Sequence, residues 1–490
     1  MSRSFVGWPP FPEAARAATA DEQLRANVHR ATHTIRGKRD ALVDERPDWQ
    51  ELRAAGAAIK DEVLGHLDTY LDQLATAVEA AGGVVHWAGD AAEANSVVTE
   101  LVRATGETEV VKAKSMLTEE IGLNAALAAA GIDARETDLA EIILQLGDDL
   151  PSHVVVPSMH LNRHQIRDIF RREMGKHGRP APADLSDDPQ ALADASRLHL
   201  RDKFLRARVG ITGANFLVAD SGTVVMVESE GNGRMCLTLP DTLITVAGIE
   251  KVVPAWRDLE VYLELLARSA TGERMSPYVS TWTGVAAGDG PSAFHLVLVD
   301  NGRTRALRDE LGREALRCIR CGACMNICPV YERTGGQAYG SVYPGPIGAI
   351  LNPLLKGADD LQTASLPYAS ALCGACNDVC PVRIDITGNL LALRHEVVEG
   401  DAAVKHPVER MALDAMAGVM RRPTLWGMAV RAASRAGVVL PKRHLPGPLG
   451  GWTDSRLVPD IPDESFRGWW SRTQDGAAGD ANGSDDGSRS

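Results

Sequence analysis

The sequence predicts a multidomain α/β protein in which a domain with a mainly parallel sheet precedes a cysteine-rich helical module. Three observations predict it. Strand-like and helix-like runs alternate between residues 84 and 157, the pattern that builds parallel sheets. Short apolar strands separated by glycine turns follow and close the domain near Gly302. Seven of the eight cysteines then fall between 318 and 380. A length of 490 residues suits two to four domains. The formal charge of −13 argues against non-specific nucleic-acid binding. Met-Ser-Arg-Ser-Phe runs straight to Trp8-Pro9-Pro10 without the apolar core of a signal peptide. No stretch approaches the roughly 20 apolar residues that span a bilayer. The expected location is the cytoplasm, where thiols stay reduced.

Across residues 21–81, Ile59, Val63, Leu64, Leu67 and Leu71 recur at helical spacing. Gly82-Gly83 ends this helical preface. Val84–Ala88 then reads as a strand, 91–104 as a helix and Glu109–Ala113 as a strand. Thr118 is expected to cap the next helix and Gly131 to stop it. Ile132–Thr137 is a strand, Asp138 opens a helix, and Val154-Val155-Val156-Pro157 is expected to be a further strand. Phe216–Ala219, Thr223–Val227, Leu243–Val246 and Phe294–Val299 complete the domain. The boundaries that follow are 1–60 for an N-terminal helical segment, 61–302 for the α/β domain, 303–395 for the cysteine module, 396–473 for a C-terminal helical and basic domain, and 474–490 for a disordered tail rich in Asp, Gly, Ser and Ala.

The cysteines form two runs, Cys318-Ile-Arg-Cys321-Gly-Ala-Cys324-Met-Asn-Ile-Cys328-Pro329 and Cys373-Gly-Ala-Cys376-Asn-Asp-Val-Cys380-Pro381. Two-residue gaps let successive thiolates converge on one iron–sulfur cluster, while the Cys-Pro after a three-residue gap turns away to supply the neighbouring cluster. Zinc would want closed sets of four, and disulfides an oxidising compartment. Crossed ligation gives cluster one Cys318, Cys321, Cys324 and Cys380, and leaves cluster two with Cys328, Cys373 and Cys376. Overlaying the runs puts Ser370 in the place of Cys318. Cluster one is expected to be a [4Fe–4S] cubane. Cluster two is open between a [3Fe–4S] centre, a [4Fe–4S] centre with a labile iron, and ligation by Ser370 or Cys236. Cys236, beside Leu237-Thr238-Leu239, reads rather as a small core residue. Arg313, Arg317 and Arg320 recur at helical spacing and set positive charge beside the clusters, whereas Arg303, Arg305 and Arg308 upstream read equally as a solvated basic face.

Gly210-Ile-Thr-Gly213-Ala-Asn215, Asp220-Ser-Gly222-Thr223 and Glu230-Gly-Asn232-Gly-Arg234, preceded by Lys114–Asn124 and Glu136-Thr-Asp138, closely resemble the lactate-utilisation domain. That domain resembles the sugar-phosphate isomerase and CoA-transferase fold. Tyr339–Pro346, a stiff turn, and the apolar helix Ile347–Leu355 make the cysteine module resemble the α-helical ferredoxin module of quinone-linked dehydrogenases and heterodisulfide reductases. Together, over roughly residues 60–470, the chain is similar to the lactate utilisation protein B family. The resemblance implies an electron-carrying subunit of a three-component system that oxidises L-lactate to pyruvate. Its implied partners are a cysteine-rich subunit and a second protein with a lactate-utilisation domain. The three-cysteine second run fits that family too.

Other candidates weigh less. Gly210, Gly213, Gly222, Gly231 and Gly233 suit a phosphate or carboxylate cradle, but turn sterics explain them equally well. Glu228 and Glu230 are the acids to nominate as base or nucleophile, against the plainer reading of charges at a strand end. His160 and His164, four apart, lack a third metal ligand. Arg421, Arg422, Arg431, Arg435, Lys442 and Arg443 alternate with Trp426, Met428, Val430 and Val438, which would suit an anionic partner or membrane surface, though amphipathic packing explains them better. No Gly-x-Gly-x-x-Gly fingerprint follows a strand, so no flavin or nicotinamide is expected. The catalytic residues stay unassigned. Two function classes remain: an iron–sulfur electron-transfer subunit, and an iron–sulfur enzyme with its own substrate site in the α/β domain.

Overall fold

The computed structural model describes residues 9–288, 290–400 and 407–437 and, further on, 453, 456, 457, 462 and 464–481. The chain divides into two compact units, Met1–Val404 and Lys405–Ser490. The first begins with four helices, Phe11–Ala20, Glu22–Asp44, Trp49–Gly65 and Leu67–Ala80. Their apolar residues are spaced by three and four, so each buries one stripe, through Leu24 and Val28, Trp49 and Leu64, Leu74 and Val78.

Ten strands follow: β1 Val84–Ala88, β2 Glu109–Lys112, β3 Asp133–Glu136, β4 Val209–Thr212, β5 Phe216–Val218, β6 Thr223–Glu228, β7 Thr242–Gly248, β8 Val252–Val253, β9 Tyr278–Trp282 and β10 Ala293–Val299. Six form an all-parallel sheet in the order β1-β10-β7-β4-β2-β3. The central strands are mostly apolar and buried along nearly their whole length because helices cover both faces. The other four form a small mixed sheet, β8-β5-β6-β9, built on the antiparallel β5–β6 hairpin. Gly222 turns that hairpin at φ +67°, and a Cβ there would meet Val78 N at 2.6 Å, so the turn tolerates no side chain.

Two local expectations fail. Ser115, not Thr118, caps the helix Met116–Glu120, its Oγ accepting from the Thr118 N–H, because that helix begins a turn earlier. Val154–Pro157 is a loop rather than a strand. His153 Nδ1 accepts the Val155 and Val156 N–H groups at 3.0 and 3.1 Å, and Ser152 N–H donates to Pro157 O, so the amides a ladder needs are already used.

The cysteine module, from Arg303 to Glu399, is a set of short helices around the helix Gly345–Lys356, which is buried up to Leu355. One apolar core joins it to the preface: Leu24, Val28 and Trp49 pack in the same cluster as Cys321, Met325, Tyr331 and Ile350. In the second unit, Pro407–Met420 and Pro423–Gly437 are helices. Trp426 is half-buried, whereas Met428, Arg421, Arg422 and Arg431 are exposed. Lys442 and Arg443 lie outside the described residues. The helix Phe466–Ala481 runs past Gln474, where a tail was expected, because Phe466 and Trp470 stack at 5.9 Å in its first turns and alanines carry it on. Residues 482–490 lie outside the described residues.

Candidate metal centre

Each cysteine run is folded by the same backbone device. Arg320, at φ +63°, points its N–H back to Cys318 Sγ at 3.4 Å, and Leu372, at φ +53°, points its N–H to Ser370 Oγ at 3.1 Å. Gly322 and Gly374, at φ +78° and +83°, then open the one-turn helices Ala323–Ile327 and Ala375–Val379. Cys328 and Cys380 end those helices in extended conformation, and their sulfurs accept from Tyr331 N–H at 3.5 Å and Ile384 N–H at 3.4 Å. Ser370 thus stands in the place of Cys318 in three dimensions as it does in sequence.

The folding brings Cys318, Cys321, Cys324 and Cys380 around one cavity, walled by Met325 and Ile384. Burial, then the neighbouring Cys328 and Cys373 sulfurs, pushes the Cys376 thiol up to about 12, which groups these three beside the first set. Burial likewise raises Cys380 to about 11 and Cys328 above the ordinary thiol range, and holds Cys321 and Cys324 well above it. Cys324 faces both groups, feeling Cys376 as well as Cys318, Cys321 and Cys380. Soft donors in apolar walls with backbone N–H groups aimed at sulfur fit iron–sulfur clusters, whereas bare thiols there would be stranded. Cys373 alone among the seven is exposed, so the second group reaches the surface. Cys236 stands apart, buried and 3.5 Å from Thr137 Oγ1.

Cations surround the first group, and most come from outside the run. Arg53, from the preface, donates to Cys380 O at 2.8 Å and Asn377 O at 3.0 Å, and Arg39 donates to Val379 O at 3.1 Å. The buried Arg320 guanidinium reaches Cys318 O, Glu250 Oε1 at 3.3 Å and the Tyr343 ring at 4.7 Å. Arg317 instead pairs with Asp61 at 2.6 Å, and Arg313 is exposed. Arg303 is no surface charge. It is the largest fully buried side chain, bridging both oxygens of Glu120 at 2.9 Å and Glu250 at 2.5 Å. Tyr343 O–H also donates to Glu120, and Lys60 Nζ to the carbonyls of Glu250 and Val252. The sequence reading missed Lys60, Arg39, Arg53 and this network, because their partners are up to 340 residues apart.

A second cavity, of about 250 Å³, opens in the α/β domain and shares Val154, Arg320 and Tyr343 with the cysteine cavity. Lys114, Lys251, Glu228 and Glu230 also line it. Glu228 accepts from Gly233 N–H and Arg234 N–H at 2.7 Å, capping the helix Asn232–Thr238, while burial holds its carboxyl above the usual range. Gly213 and Gly233 are needed for close packing: a Cβ would lie 2.5 Å from Ser115 Oγ at the first and 2.3 Å from Met226 Sδ at the second. His160 bonds Ser152 and Asp149, while His164 is exposed. Among the described residues, the group whose ligand atoms converge within 4.8 Å is His29, His33 and Glu332.

A model of the LUD domain matches residues 71–299, one of the 4Fe-4S dicluster domain residues 314–384, and one of the lactate utilisation protein B C-terminal region residues 392–475. Lactate utilization protein B of Oceanobacillus iheyensis is 43% identical over 96% of this chain and 98% of its own. An electron transport protein of Escherichia coli K12, YkgF, described as uncharacterized, is 43% identical over 95% of this chain and 97% of its own. Lactate utilization protein B 1 of Bacillus mycoides is 41% identical over 95% and 97%. A crystal structure of a DUF162 family protein from Deinococcus radiodurans is weakly alike, with a TM-score of 0.27 and 14% identity over 48% of this chain and 98% of that one. A parallel-sheet domain, a dicluster module and a matching C-terminal region, in one chain aligned end to end with such relatives, place this chain in the lactate utilization protein B family.

Proposed function

We propose that the chain is the iron–sulfur electron-transfer subunit of a cytoplasmic, multi-subunit system that oxidises L-lactate to pyruvate. Membership of the family and the dicluster domain support a role in lactate utilisation with iron–sulfur electron transfer. The observation that supports the reading further is the cavity lined by Cys318, Cys321, Cys324 and Cys380, with Cys376 near Cys328, Cys373 and Cys324. Cys318, Cys321, Cys324 and Cys380 would hold a [4Fe–4S] cluster, and Cys328, Cys373 and Cys376 a [4Fe–4S] or [3Fe–4S] cluster. Clusters so held accept and release single electrons. The protein's part is to keep the first set dry and ringed by Arg39, Arg53 and Arg320, and to bring the second to the surface at Cys373, within reach of a partner. The partners on this reading are a cysteine-rich subunit and a second protein with a lactate-utilisation domain. The α/β domain, on this reading a sugar-phosphate isomerase/CoA-transferase-like one, supplies Glu120 and Glu250, which anchor the cysteine module. The alternative, an enzyme acting on its own substrate in the α/β domain, draws on the cavity beside Arg320 but lacks a hydride acceptor next to a base. The purified chain, anaerobic and loaded with iron and sulfide, is expected to be reduced by L-lactate only when those partners are added. Rapid reduction of the single chain by lactate would favour the enzyme.

A further inference from the structure

Three properties of the α/β cavity point to one kind of ligand. Its volume, about 250 Å³, lies below the roughly 300–1,000 Å³ of sites for larger organic ligands and suits a molecule of a few heavy atoms. Its charge is divided. Lys251, Arg320 and Arg303 are neighbours in its lining together with the carboxylate of Glu250, which is already bonded to both arginines. Lys251, among the described residues, makes no ion pair, and burial together with Arg320 lowers its pKa to about 8, so an anion there would relieve both. Elsewhere in the lining Lys114 is paired with Glu141, and Asp138, Glu228, Glu230 and Glu273 oppose a second negative charge but accept hydrogen bonds. A monoanion with a polar, uncharged far end matches both. Finally, the cationic group adjoins the cysteine cavity through Arg320, which lines both and whose backbone N–H is bonded to Cys318 Sγ.

We propose that this cavity binds a small organic carboxylate between Lys251 and Arg320, and that the bound anion lowers the reduction potential of the centre held by Cys318, Cys321, Cys324 and Cys380. A negative charge beside that set disfavours adding an electron, and by linkage the reduced protein binds the anion more weakly. The second half of the inference rests on the reading of those four cysteines as cluster ligands.

Pyruvate is the probe, and pyruvamide, its uncharged analogue, the control, with the full-length chain loaded anaerobically. Equilibrium dialysis is expected to show saturable pyruvate binding to the oxidised protein, about fivefold or more weaker after reduction with dithionite. Potentiometric EPR titration is expected to show pyruvate, and not pyruvamide, lowering the potential of the four-thiolate centre alone. Lys251→Met should weaken binding more than tenfold and abolish the shift, and Lys251→Arg should restore both. No saturable binding to the oxidised wild type, equal binding of pyruvamide, or an undiminished shift in Lys251→Met would overturn the proposal. Should Lys251→Met fail to load iron, the first two comparisons decide it. Pyruvate bound by a chain that holds no four-thiolate cluster would sink the cluster reading and leave the anion site standing.

Discussion

Lys60 is a cation inside the protein whose ammonium bonds two carbonyls rather than a carboxylate, and burial lowers its pKa to about 7. In the unfolded chain it would titrate near 10.4. Between these values the unfolded state binds the proton and the folded state does not, so stability rises with pH from about 7 to about 10. Wild type should therefore gain on Lys60→Met by up to about 1.4 kcal/mol per pH unit between pH 7 and 9, read from denaturant unfolding; a flat difference would show that Lys60 stays charged. Cys236 makes the opposite case. It is fully buried among apolar residues, so Cys236→Ala should leave both cluster EPR signals intact at a stability cost of about 1 kcal/mol. That role was legible from its apolar neighbours, because burial follows local pattern. The roles of Lys60 and Arg303 were not: a lysine or arginine on a helix reads as surface until the fold brings carbonyls or carboxylates from distant segments to it.

At the scale of elements, two devices hold the centre. The first is the Arg303 bridge, which ties the helix Met116–Glu120, the end of β7 and the cysteine module through Glu120, Glu250 and Tyr343. Arg303→Met would leave Glu120 buried without a cation and Glu250 with Arg320 alone, and should cost about 3–5 kcal/mol in denaturant unfolding. A cost under about 1 kcal/mol would show that water reaches the site. The second is the repeated turn of Cys318–Arg320 and Ser370–Leu372. Ser370→Cys places a thiol where the first run has Cys318, so the second centre should become a four-thiolate cubane with a lower midpoint potential, seen by EPR and redox titration. An unchanged signal would mean that position 370 points away from the metal. Period and glycine punctuation made five of the six strands of the parallel sheet legible within a residue or two, whereas β4, Val209–Thr212, was missed because Gly210 and Gly213 read as a loop. The loop at Val154–Pro157 was misread because its three valines suit a strand, and only the His153 ring that takes their amides decides otherwise.

Across the whole first unit, the helical preface is part of the redox module: Leu24 and Trp49 share a core with Cys321 and Cys324, and Arg53 touches the Cys380 carbonyl. The proposed sorting of the cysteines comes from spacing alone, since thiolate gaps of two and three residues limit which sulfurs can meet. Spacing could not show that the preface seals the first set while the second opens at Cys373, since both depend on contacts between segments far apart in sequence. On the proposed reading the architecture is that of a relay, dry at one centre and open at the other. Its central claim is two centres with separate ligand sets. EPR with iron and sulfide counting on the anaerobically loaded chain measures this most directly. Two signals are predicted in the wild type, with Cys321→Ala losing the four-thiolate one and Cys376→Ala the other; one signal with all seven cysteines intact, or stoichiometric zinc in place of iron, would contradict it.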